Sequence, residues 1–229
     1  RRNAKNKAAL LPHLNSVIIQ HLPLNVGAED VVTAIFENNE DLLQPQVPIG
    51  VLKQYENCLV GAHAGLKGDG LGYGCHYLDF LEVIQSCNGQ PLQRNQQLVM
   101  QLLLKHDSLR VLLDESTEKH HTKEDRMRIY ITSLDSLANN KQQCTDPTSK
   151  LQYHLRLLQL LGRIAQGENR RVVQQFFRNW FPLSLCLTVI NKCSTYDFET
   201  CLSIRTSFIL FMRDVYFPIN RSDVGHVMD

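Results

Sequence analysis

The chain has 229 residues, 43% apolar and 21% charged, enough apolar material for a sizeable core and too much for wholesale disorder. Lys and Arg total 24 against 23 Asp and Glu, a formal net charge of +1, which argues against a dedicated nucleic-acid binder with a strongly basic face. No run approaches the roughly 18 apolar residues that cross a bilayer, and no secretory signal stands at the start.

Taken in chain order, the dominant signal is the three-and-four spacing of helices. Leu10, Leu14, Val17, Ile18 and Leu22 make a first stripe, with Pro12 tolerable in a first turn. Val31, Val32, Ile35 and Phe36 follow, then Leu42 and Leu43, before "QPQVPIG" breaks the pattern. Leu52, Tyr55 and Leu59 form a short stripe that runs into "GLKGDGLGYGCHY". That stretch packs five glycines into ten residues, Gly65 to Gly74. Gly68, Gly70, Gly72 and Gly74 alternate strictly, so neither G-x-G-x-x-G nor a P-loop is present, and the segment before them is helical. We therefore read this stretch as an inter-helix connector, and predict flexible loops at about 61–76 and 114–126.

Tyr77, Phe80, Leu81 and Ile84 define the next helix. "CNGQP" predicts a turn, with Pro91 opening a helix that carries Leu98, Val99, Leu102 and Leu103. After the polar segment "DESTEKHHTKED", Thr122 is placed to cap a helix whose stripe is Met127, Tyr130, Ile131, Leu134 and Leu137. Ser149 and Gln152 form a capping box for the most leucine-rich helix. There Leu151, Leu155, Leu158 and Leu161 are joined by Leu157, Leu160 and Ile164, a breadth that predicts burial on more than one side. Val172, Val173, Phe176, Phe177 and Trp180 form an aromatic stripe closed by Pro182, and Leu183, Leu187 and Ile190 follow. The last stripe is Phe198, Cys201, Leu202, Phe208, Met212 and Val215, and Pro218 stops it. No strand alternation is evident. The sum is a single all-α domain over 1–229, an armadillo/HEAT-like right-handed superhelix of stacked helices. No crisp repeat near the expected ~40-residue period is visible, so the repeats are degenerate.

Chemistry-bearing residues are sparse. Seven irregularly spaced cysteines without C-x-x-C suggest small reduced thiols, with Cys87, Cys186 and Cys201 in apolar helical patterns. His120 and His121 are adjacent, a poor spacing for one metal, and no nucleophile–base arrangement or buried carboxylate pair is legible. No enzyme activity, cofactor or metal is expected. Three polar residues fall on apolar faces. Asn95 is expected to bond backbone groups of the preceding turn, Arg205 to bond carbonyls or a carboxylate at a neighbouring helix end, and His154 to be a satisfied core histidine. All three read as structural pins. Arg156, Arg163, Arg170, Arg171 and Arg178 make a row that fits a solvated face or, alternatively, a surface for an anionic protein partner.

"HYLDFLEVIQSCNGQPLQRNQQLVMQLLL" resembles the helix–turn–helix segment of the homology domain shared by inositol-trisphosphate receptors and ryanodine receptors. "AIFENNEDLL" before it, and "KLQYHLRLLQLLGRIAQGEN" and "LSIRTSFILFMRDVY" after it, are similar to further parts of that domain in the same order. The resemblance implies a cytosolic armadillo-like domain of a tetrameric ligand-gated calcium-release channel at the endoplasmic reticulum or another calcium store. It implies a scaffold that relays change from ligand-binding regions to the pore. Its partners would be other domains of the channel and neighbouring subunits of a homotetramer, with no nucleic acid and no membrane contact by this part. In the family, a Tyr-Arg-Lys-Asn run upstream of one such domain helps hold the inositol phosphate. The nearest stretch here, "NAKN", keeps Lys5 and Asn6 but has Ala4 in place of the arginine, so Lys5 is at most a remnant and no binding by this chain is expected. The first residue is Arg1 and no Met precedes Met100, so a piece of a longer polypeptide is expected. The rival function is a stand-alone helical-repeat adaptor that grips a protein through its arginine row.

Overall fold

A computed structural model describes residues 2–14, 19–24, 26–43, 47–64, 72–110, 112, 122–166 and 170–217, and these are helical apart from one short hairpin and the connections. The helices are α1 (Arg2–Leu10), α2 (Ala28–Phe36), α3 (Glu40–Leu43), α4 (Ile49–Ala64), α5 (Cys75–Val83) and α6 (Gln93–Lys105). They continue with α7 (Lys123–Ala138), α8 (Lys141–Thr145), α9 (Lys150–Ile164), α10 (Arg170–Trp180), α11 (Leu183–Lys192) and α12 (Phe198–Val215). The first predicted stripe is not one helix: the chain tightens into 3-10 turns at Leu11–His13, which holds Pro12, and at Ile19–Leu24. No helix among the described residues is long and apolar enough to cross a membrane.

Local chemistry sets several helix starts. The Thr122 hydroxyl accepts from the Asp125 amide at 3.1 Å and opens α7. The Ser149 hydroxyl accepts from the Gln152 amide at 3.2 Å and opens α9. This is only half of the expected box, because the Gln152 side chain donates instead to the Cys144 carbonyl at 3.3 Å. Asp197 caps α12 by accepting from the Thr200 amide at 3.0 Å. Asn88 and Gly89, at φ 50° and 77°, make the expected turn. The turn also pairs β1 (Ser86–Cys87) with β2 (Gln90–Pro91), a ladder too short to show any alternation in sequence. Cys87 therefore lies on a strand rather than a helix, and Pro91 ends β2 while α6 starts at Gln93.

The described ends of both predicted loops are helical. Residues 61–64 complete α4, residues 75–76 begin α5 and residues 123–126 begin α7; residues 65–71 and 113–121 lie outside the described set. The end of the glycine-rich stretch is tightly placed rather than slack. Gly72 and Gly74 have φ of 61° and 70°. A Cβ on Gly72 would collide with the side chain and carbonyl of Thr148, and the Tyr73 amide donates to that carbonyl at 2.9 Å. A Cβ on Gly74 would lie 3.0 Å from the Tyr77 ring and 3.2 Å from Ala62.

Packing centres on α9, which touches α5, α6, α7, α8 and α12; this is why leucines surround it. A continuous row α2–α5–α9–α12 forms the spine. At one end Phe36, Tyr55, Tyr77 and Phe80 interlock, with Tyr55 stacked on Phe80 at 4.0 Å between ring centres. At the other end Tyr130, Phe181, Phe208 and Phe211 do the same, with Phe181 and Phe211 rings 5.1 Å apart. The predicted stripe on α12 is rotated. Leu202 is 55% exposed, while Ile204, Phe208, Phe211 and Val215 are buried. The cysteines are free thiols, and burial pushes Cys186 up to about 12 and Cys75 and Cys193 up to about 11.

Candidate functional site

A helix ends with carbonyls that have no intrahelical donor. In this chain, polar side chains from neighbouring helices meet many of them, and the result is a set of cross-links between helices rather than a reaction centre. Asn95 on α6, 1% exposed, donates through Nδ2 to the Ile84 carbonyl just past α5 at 2.8 Å. The same nitrogen donates to the Leu43 carbonyl, the last of α3, at 3.2 Å. The first contact lies 11 residues back, at the end of α5; the second reaches 52 residues back. Gln96, its neighbour, donates to the Arg163 carbonyl near the end of α9 at 2.9 Å. Asn95→Leu keeps the volume and removes an Oδ1 that has no partner among the described residues, yet strands two buried carbonyls. The expected net loss is about 1 kcal/mol, seen as a lower thermal midpoint; a raised midpoint would rule out the pinning role.

The far end of the spine is tied in the same way. Gln174 and Arg178 of α10 donate to the Asp214 and Val215 carbonyls that end α12, at 3.1 Å and 2.8 Å. Tyr216 donates to the Phe181 carbonyl at 2.6 Å. Arg205 donates through Nε to the Ile190 carbonyl on α11 at 3.3 Å, half-buried rather than on the fully apolar face assigned to it. His154 is fully buried, with its Nε2 at 2.6 Å from the Tyr130 hydroxyl. Burial raises the pKa of that hydroxyl, which keeps its proton available for this bond. Gln96, Gln174 and Tyr216 were not singled out from sequence. The available signal was a glutamine on a buried stripe, beside Val99 for Gln96 and beside Phe177 for Gln174.

Arg156, Arg163 and Arg178 of the arginine row join helices of this chain. Arg156 and Arg163 of α9 pair with Asp79 and Glu82 of α5, the latter at 3.4 Å. Arg178 also lies over the Tyr216 ring, 5.1 Å from its centre. The side chains of Lys5, Arg170 and Arg171, together with His120 and His121, lie outside the described residues. Among the described residues no group of three or more His, Cys, Asp or Glu is placed to hold a metal ion.

A family model, the RIH domain of ryanodine and inositol-trisphosphate receptors, matches residues 1–115 of the 229. The chain belongs to the RIH-domain family. The match spans α1 to α6, including the helix–hairpin–helix that carries Asn95; the similar stretches in α9 and α12 lie beyond it. RIH domains belong to calcium-release channel receptors, which gives this RIH domain its context. No curated protein matches the chain.

Proposed function

We propose that this RIH domain is a cytosolic scaffold in a tetrameric ligand-gated calcium-release channel, relaying conformational change from ligand-binding regions toward the pore. On this reading it catalyses nothing and takes no cofactor. Its helices stack as an armadillo-like right-handed superhelix. Its partners are other domains of the channel and neighbouring subunits of a homotetramer, on the cytosolic face of the endoplasmic reticulum or another calcium store.

The observation that carries this reading is the α2–α5–α9–α12 row, close-packed and cross-linked at its helix ends. A core at crystal-like density deforms little, so a displacement applied at α2 reappears at α12 as rotation of a body. The adaptor reading is less favoured because Arg156, Arg163 and Arg178 already bond within the chain.

Native-state hydrogen exchange tests the relay. Buried amides of α5, α9 and α12 should open with one common free energy. If α5 opened independently of α12, no displacement could pass between them and the proposal would fail. Calorimetry with inositol trisphosphate checks the ligand side: no binding heat is expected from this chain, and a micromolar affinity would overturn the scaffold-only role.

A further inference from the structure

A cleft of about 310 Å³ opens between α4 and α5. Cys58, Gly61 and Ala62 of α4 form one wall, His76 and Tyr77 of α5 the other, and Pro23 of the Ile19–Leu24 turn closes a third side. The volume lies at the lower end of the roughly 300–1,000 Å³ typical of small-molecule pockets. Tyr77 is 4% exposed and its hydroxyl already donates to the Leu22 carbonyl at 3.0 Å, so its ring is what remains for an occupant. Asn57 and Gly61 are exposed and stand at the mouth, with the half-buried Gln54 beside them.

Three features mark the cleft as more than loose packing. First, Gly61 lies in the last turn of α4, where glycine is still a poorer helix former than alanine. Its φ is not positive, and an added Cβ would meet nothing within 4 Å, so neither strain nor a close neighbour requires glycine there. What its absent side chain leaves is open space at the mouth. Second, the wall holds a buried polar atom, His76 Nε2, with no hydrogen-bond partner among the described residues. Third, among the described residues no Lys, Arg, Asp or Glu lines the cleft, and burial lowers the His76 pKa and favours the neutral ring. A charged ligand would lose hydration there without a counter-charge.

We propose that this cleft binds a small neutral aromatic molecule, of one or two rings with a hydrogen-bonding group. Its ring rests against Tyr77 and the Cys58 sulfur, and its polar group turns toward His76 Nε2, with Gln54 and Asn57 at the mouth. The inference is independent of the channel reading.

Cys58 makes the cleft testable, because an occupant shields its half-buried thiol. The 229-residue chain is alkylated with iodoacetamide in mildly alkaline buffer while indole is titrated in, and each cysteine is followed by peptide mass spectrometry. At indole concentrations ten times its Kd, Cys58 alkylation should slow about tenfold. Cys144 and Cys201, half-buried thiols that do not line the cleft, should be unaffected, as should Cys58 when benzoate replaces indole. Gly61→Leu improves helix propensity and fills the mouth; it should remove the indole dependence while leaving the far-ultraviolet circular dichroism unchanged. A Cys58 rate insensitive to indole, equal protection by benzoate, or full protection retained in Gly61→Leu would each overturn the proposal. The first of these is also what a cleft that accepts only a partner protein's side chain would give.

Discussion

Phe181→Ala is expected to destabilise the chain by about 3–5 kcal/mol. Phe181 is fully buried just past the end of α10, at the junction of four helices. Its ring centre lies 5.1 Å from Phe211 on α12, 5.7 Å from Tyr130 on α7, and 6.4 Å from both Phe208 on α12 and His154 on α9. Truncation removes the transfer energy of the ring and leaves a cavity whose walls belong to several helices, so none can collapse into it without displacing the others. The Tyr216 bond to the Phe181 carbonyl survives, because it uses the backbone. Denaturant titration should therefore show a lower midpoint at unchanged slope, and the thermal midpoint should fall by on the order of 10 °C. A loss under about 1 kcal/mol would mean that this junction is not packed.

Gly162→Val should cost about 3 kcal/mol, at the upper end of overpacking penalties. Gly162 is a buried residue of α9 at its approach to α12. A Cβ there would lie 3.2 Å from Asp214 Oδ2 and 3.5 Å from the Phe211 Cα. One methyl group is nearly accommodated: Gly162→Ala trades a gain in helix propensity of about 1 kcal/mol against a tight contact, and should sit close to wild type. Valine adds two methyl groups pointing at backbone, which cannot rotate aside, so α9 and α12 must separate. Since Asp214 is held by Arg213 at 2.7 Å through one oxygen and 3.0 Å through the other, it has little freedom to withdraw. Hydrogen exchange should quicken in α12 before α5. Wild-type stability in Gly162→Val would contradict the close approach of the two helices, and with it the stiffness on which a relay depends.

The cross-links were legible in unequal measure. That Asn95 needs a partner follows from its place among Val99 and Leu102, and the Asn88–Gly89 turn places Ile84 nearby. Nothing local indicates that its second acceptor is Leu43. Arg205 donates to the Ile190 carbonyl, whereas the face expected for it is taken from Leu202, which is exposed. An 18-residue helix with apolar groups at Phe198, Leu202 and Ile209 as well as at Ile204, Phe208 and Phe211 carries two competing stripes. Periodicity alone cannot choose between them.

Helix class, the caps at Thr122 and Ser149, the Asn-Gly turn and the enclosure of the leucine-rich helix could all be read from residue order. Each depends on backbone propensity, short-range hydrogen bonds or the angular spread of side chains about one axis. The pairing of Arg156 and Arg163 with α5, the convergence on Phe181, the close approach at Gly162 and the cleft beside Gly61 emerged only once the helices were packed. Those features depend on the distance and angle between helices far apart in the chain, quantities set by how whole faces interlock and carried by no single local pattern.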